Sequence, residues 1–106
     1  MSKFMRIIVF FDLPVMTKAQ RKIATDFRKF MIDDGYYMIQ FSVYGRLCNN
    51  FDNAQMHCRR LANYAPEEGS VRVMVVTEKQ YANMYIVRGK VKCEEQKAEY
   101  YQLSFF

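Results

Sequence analysis

The chain has 106 residues, enough to bury one core as a single domain over 1–106 without help from disulfides or a structural metal. Hydrophobic residues make up 51% and aromatics 16%, which excludes a disordered tail, and no apolar run approaches the roughly 20 residues of a membrane span. Lys and Arg number 16 against 11 Asp and Glu, a net charge of +5, so the domain is basic.

Met1-Ser2-Lys3 leads straight into an apolar stretch with no small-residue cleavage site after it, so a cytoplasmic location is expected. Ile7 to Phe11 is a continuous β-branched and aromatic run, the pattern of a short strand covered on both faces. Asp12 ends it, followed by Leu13-Pro14. Thr17 is a good N-cap for a helix running to about Asp34, with Gly35 where a C′ glycine belongs. Ile23, Phe27, Phe30 and Met31 form its core-facing stripe. Lys18, Arg21, Lys22, Arg28 and Lys29 project to the opposite side, with Asp26 the one acid between Lys18 and Lys29.

Residues 36–47 are β-rich, with Tyr37, Ile39, Phe41 and Val43 alternating onto one side of either one bent strand or a tight hairpin. A second helix is expected from about Asp52 to Ala65, its stripe formed by Ala54, Cys58, Leu61 and Ala65 and its end by Pro66. Val71 to Thr77 is a strand, Lys79 to Asn83 one helical turn, and Tyr85 to Arg88 a further short strand. After polar residues 89–99, Tyr101 to Phe106 alternates again, so this end is expected to pair into a sheet.

Cys48, Cys58 and Cys93 are odd in number and not closely paired, which fits small buried hydrophobes rather than a disulfide or zinc framework. His57 is the only histidine and reads as a partly exposed helical residue. The aromatics sit mostly at core-compatible positions, so base stacking is not expected of them.

This order of elements is that of an α+β sandwich, most simply a ferredoxin-like βαββαβ unit with an extra C-terminal strand. The wording Phe11-Asp12-Leu13-Pro14, the basic helix, Gly35 and Ile39-Gln40-Phe41-Ser42-Val43-Tyr44 resembles the small CRISPR-associated protein of family two, the scaffold subunit of the spacer-acquisition integrase. Val75 to Tyr81 is similar to the version found in systems with a single large effector nuclease. The resemblance implies a homodimer whose last strand, here Leu103 to Phe106, crosses onto the partner's sheet. It also implies a place between two dimers of the integrase subunit, family one, under the middle of a double-stranded DNA. Asp12 and its mate across the two-fold axis would hold Mg²⁺, and some members cut nucleic acid there. Many members carry tyrosine before the aspartate, where this chain has Phe11.

The residues themselves allow these roles. Asp12, where a strand run stops, can present a carboxylate oxygen to Mg²⁺ or can simply initiate the turn at Leu13-Pro14. The basic helix supplies sequence-independent phosphate contacts, or is an ordinary solvated face. Arg59, Arg60, Lys79, Arg88 and Lys90 could extend that surface. Three functions stay open: a duplex-binding scaffold, a Mg²⁺-dependent endonuclease acting on RNA or DNA through Asp12, and a generic ferredoxin-like RNA-binding or regulatory dimer. No Gly-rich phosphate loop and no RNA-recognition signature is present to favour the last.

Overall fold

The structure, a computed structural model, describes residues 3–89. In chain order the elements are β1 (Met5–Asp12), α1 (Lys18–Asp33), β2 (Tyr37–Gln40), β3 (Val43–Cys48), α2 (Phe51–Tyr64), β4 (Ser70–Thr77) and α3 (Glu78–Ala82). The four strands form one antiparallel sheet in the order β2-β3-β1-β4, a ferredoxin-like α+β arrangement. The apolar run of β1 takes the central position, with Val9 opposite Tyr44 on one side and Val73 on the other.

Alternation along β1 sorts its side chains by face. Ile7, Val9 and Phe11 enter the core, where Phe27 and Met31 of α1, Ala54 and Leu61 of α2, and Tyr44 and Cys48 of β3 meet them. The Phe11 and Phe27 rings pack edge to face at 5.6 Å. Each such side chain contributes about 1.5–3 kcal/mol on burial. Ile23 lies outside this core at 48% exposure, and on α2 His57, not Cys58, joins Ala54 and Leu61 as a buried residue.

The other face carries Arg6, Ile8, Phe10 and Asp12, and only part of it is covered. α3 folds beneath the start of β1, while Phe10, Met74 and Met84 remain 40%, 54% and 47% exposed. Among the described residues the expected cover of this face is present at Arg6 and Ile8 and open at Phe10. Under α3, Arg6 is fully buried and forms a bidentate pair with Glu78, Nε to Oε2 at 2.7 Å and Nη2 to Oε1 at 2.8 Å. Its Nη1 donates to the Tyr37 hydroxyl at 2.6 Å, and its guanidinium lies 4.0 Å from the Tyr81 ring centroid. Burial alone would weaken the hold of Arg6 on its proton, but the Glu78 hydrogen bonds and the charges around it leave its pKa raised.

A second ionic cluster joins the helices. Asp34, the C-cap of α1, sits 2.9 Å from His57 Nδ1 and 2.7 Å from Arg60 Nη2, and its carbonyl accepts from Arg46 Nε at 2.7 Å. His57 is therefore buried, not partly exposed: a buried carboxylate on the facing helix supplies the partner its ring needs.

Thr17 caps α1 through a box with Gln20, and Gly35 follows at φ +96, the left-handed conformation that ends helices. Residues 36–47 form a hairpin rather than one bent strand. A bulge between Met38 and Gln40 breaks the period of two, so Phe41 leaves the expected alternation and stands 80% exposed at the turn.

Tyr85 to Arg88 is not a strand. Met84 lies against the open sheet face beside Phe10 and Met74, and the residues after it pair with no described strand. Tyr85 and Val87 are each 85% exposed, and β-propensity without a paired edge does not make a strand. The expected pairing of 101–106, with its crossing segment Leu103 to Phe106, and the positions of Lys90 and Cys93 lie outside the described residues. No helix among the described residues is long and apolar enough to cross a membrane.

Candidate nucleic-acid interface

Asp12 is the last residue of β1, exposed, on the sheet face opposite α1 and α2. Its backbone is held closely. Gly69, at φ +89 before β4, passes so near that a Cβ there would lie 2.5 Å from the Asp12 carbonyl oxygen. Only glycine permits both the dihedral and the approach. On the other side, Phe11 N donates to Ser42 O at 3.1 Å, tying the end of β1 to the β2–β3 turn.

Asp12 is the carboxylate that β1 presents at this end of the sheet, and Glu67 and Glu68 precede the Gly69 that packs against it. Among the described residues no group of three His, Cys, Asp or Glu side chains could hold a metal ion. A Mg²⁺ ion prefers oxygen ligands, so the residue type fits, and the carboxylate of a second copy would strengthen the site. The sequence reading missed Arg72, which the register places opposite Phe10 on the same face as Asp12 and Ser70. The signal was available in the alternation of β4, where Arg72 interrupts an apolar run.

The cationic side of α1 is as the periodicity requires. Lys18, Arg21, Lys22 and Lys29 are exposed and Arg28 is half-buried. Arg21 Nη1 donates to the carbonyls of Val15 and Met16 at 3.1 and 3.2 Å, which ties it to the loop before the helix while its charge stays at the surface. Lys22 pairs with Asp26 at 2.9 Å, with side chains 76% and 60% exposed, a bond that water and salt weaken readily. Arg28 lies 5.7 Å from the ring centroids of both Phe11 and Phe41. The first turn of α1 holds no acidic residue, so the positive end of the helix dipole adds to the cations.

Of the remaining candidates among the described residues, Lys79 lies apart from α1. Arg59 and Arg60 are both exposed on α2, Arg60 at 53% of its side chain while it pairs with the buried Asp34. Lys79 is exposed on α3, on the opposite side of the sheet from α1, and Arg88 is exposed in the segment after α3. Lys90 lies outside the described residues. The two thiols among the described residues do not suit nucleophilic chemistry: burial raises the pKa of Cys48 and of Cys58, keeping both protonated at neutral pH.

Comparison with known proteins places this geometry. The family model for CRISPR associated protein Cas2 matches residues 5–84. A CRISPR-associated endoribonuclease Cas2 from Acidovorax ebreus is 53% identical over 102 residues, covering 96% of this chain and all of the relative. Proteins of the same name from Flavobacterium psychrophilum and Ligilactobacillus salivarius are 47% and 43% identical, covering 86% and 81% of this chain and 79% and 85% of the relatives.

Proposed function

The chain belongs to the CRISPR-associated Cas2 family, and on that premise we propose that it is a homodimeric scaffold of spacer acquisition, which binds double-stranded DNA along α1 and bridges dimers of the integrase subunit. The observation that carries this reading is the outer face of α1, where four exposed cations and the guanidinium of Arg28 are opposed on the helix only by Asp26 and Asp33. Such a face neutralises phosphates without reading bases, as a subunit that accepts arbitrary duplexes requires. The apolar stretch of sheet around Phe10, Met74 and Met84 supports a dimer, since a second copy would cover it.

Charge reversal tests it. The double variant Arg21→Glu, Lys22→Glu weakens duplex binding whatever the sequence and flattens the slope of log affinity against log salt by about 2, from two lost phosphate contacts. Unchanged affinity and slope would reduce the face to a solvated one.

A second reading has its own support in the name of the relatives, endoribonuclease, and in the exposed carboxylate of Asp12. In a dimer, Asp12 of each copy would hold Mg²⁺, which supplies a water of lowered pKa and charge neutralisation at a phosphate. Asp12→Ala then abolishes any Mg²⁺-stimulated cleavage of RNA or DNA and leaves duplex binding intact. Integration assayed with the partner integrase separates the two readings. Near-normal integration by Asp12→Ala fits the scaffold, and lost integration with intact DNA binding makes this subunit a source of chemistry.

A further inference from the structure

The β2–β3 turn displays an aromatic ring that the fold does not use. Phe41 is 80% exposed, in a turn whose backbone is tied to β1. Its neighbour Ser42 is held at φ +66, a left-handed conformation unusual for serine, and the Ser42 carbonyl accepts from Phe11 N at 3.1 Å. From α1, Arg28 extends to within 5.7 Å of the Phe41 ring centroid and equally near that of Phe11. A strained, anchored turn thus presents an exposed phenyl ring with a planar cation over it, one hydrogen bond from the strand that ends in Asp12.

The pairing of ring and guanidinium narrows what can occupy it. An apolar protein surface seated on Phe41 would crowd Arg28 while offering its charge no acceptor. A nucleotide satisfies both groups at once, its base stacking on the ring and its phosphate meeting the guanidinium. Bases inside a duplex are already stacked on one another, so only an unpaired base is free to take this place. We propose that Phe41 and Arg28 form a stacking platform for one unpaired base of a single-stranded stretch that adjoins the duplex. The proposal rests on the reading of α1 as the duplex interface, and extends it from paired to unpaired nucleic acid.

Two DNA probes test it with the full chain: a blunt duplex, and the same duplex extended by an unpaired adenine tract. The wild type binds the extended probe more tightly. Phe41→Ala lowers affinity for the extended probe roughly 5- to 150-fold, the range expected for one lost base–aromatic stack, and leaves the blunt duplex unaffected. Phe41→Tyr retains the preference and Phe41→Leu loses it, because the face of the ring, not its bulk, is what counts. Arg28→Lys keeps the salt dependence and loses part of the preference, since an ammonium has charge but no plane.

The sequence contains no tryptophan, so Phe41→Trp installs a single fluorescent reporter. Its emission is quenched by the adenine tract and not by the blunt duplex. Equal wild-type affinity for the two probes with unquenched emission overturns the platform and spares the duplex reading. Failure of the wild type to bind either probe overturns both. A change in mass of Phe41→Ala by light scattering also overturns the platform, since it would make Phe41 a protein contact.

Discussion

The ionic cluster beneath α3 and the outer face of α1 use the same side-chain chemistry in opposite solvents. Arg6 is stripped of water and answered group by group by Glu78, Tyr37 and Tyr81, whereas Lys18, Arg21, Lys22 and Lys29 stay hydrated. A buried guanidinium so satisfied cannot reach a phosphate, and an exposed cation contributes little to folding. A net charge of +5 therefore says less about polyanion binding than the division between these two populations does. Arg60 straddles it, its side chain 53% exposed yet paired with the buried Asp34 at 2.7 Å.

The division is most severely tested at Arg6. Arg6→Ala leaves Glu78 buried without its partner and should cost about 3–5 kcal/mol, read as a lower urea midpoint. The pair Arg6→Met with Glu78→Leu removes both charges and should recover much of that loss. Asp34→Ala comes next, at about 2–3 kcal/mol, because His57 and Arg60 both lose a charged hydrogen-bond partner. In the same measurement Arg60→Ala destabilises and Arg59→Ala does not. Equal effects at 59 and 60 would erase the distinction.

A gentler probe is alkaline pH. Burial raises the pKa of Cys48, Cys58 and Tyr36 above the ordinary values of 9.0 for the thiols and 10.0 for the phenol. An acid whose folded pKa is raised releases its proton first in the unfolded chain. The stability it contributes is full below the ordinary value and is lost as the pH rises through the folded one. The urea midpoint should thus begin to fall as the pH passes about 9, and Cys48→Ala should lessen that slope. Smallest of all, Arg21→Glu with Lys22→Glu should leave the midpoint where it was while weakening the duplex complex. A variant that unfolded would show that α1 needs these cations for its own packing.

Local patterns made much of this legible in advance. The β-branched run of β1, the Thr17 cap, Gly35 and the strand from Val71 each follow from a few neighbouring residues. Contacts between distant residues were not legible. Glu78 lies 72 positions from Arg6, and nothing around either one announces the other, although an arginine entering an apolar strand was a sign that a partner had to exist. His57 was misjudged for the same reason, its partner Asp34 lying on the other helix. At Phe41 a single bulge overrode the alternation. At Tyr85 to Arg88, strand-forming residues found no edge among the described strands. Of the candidate interface, the cations of α1 were readable from periodicity alone, while the pairing of Arg60 with Asp34 required the packed structure.

Both capping boxes among the described residues close with glutamine: Gln20 answers Thr17 at the start of α1, and Gln80 answers Thr77 at the start of α3. In a box closed by glutamate the reciprocal acceptor is a carboxylate, which weakens as acid protonates it. An amide oxygen has no such titration. The turn that carries Lys18, Arg21 and Lys22 consequently keeps its cap from acid to neutral conditions. For the proposed duplex contact, ionic strength rather than proton concentration is then the variable to which that turn responds.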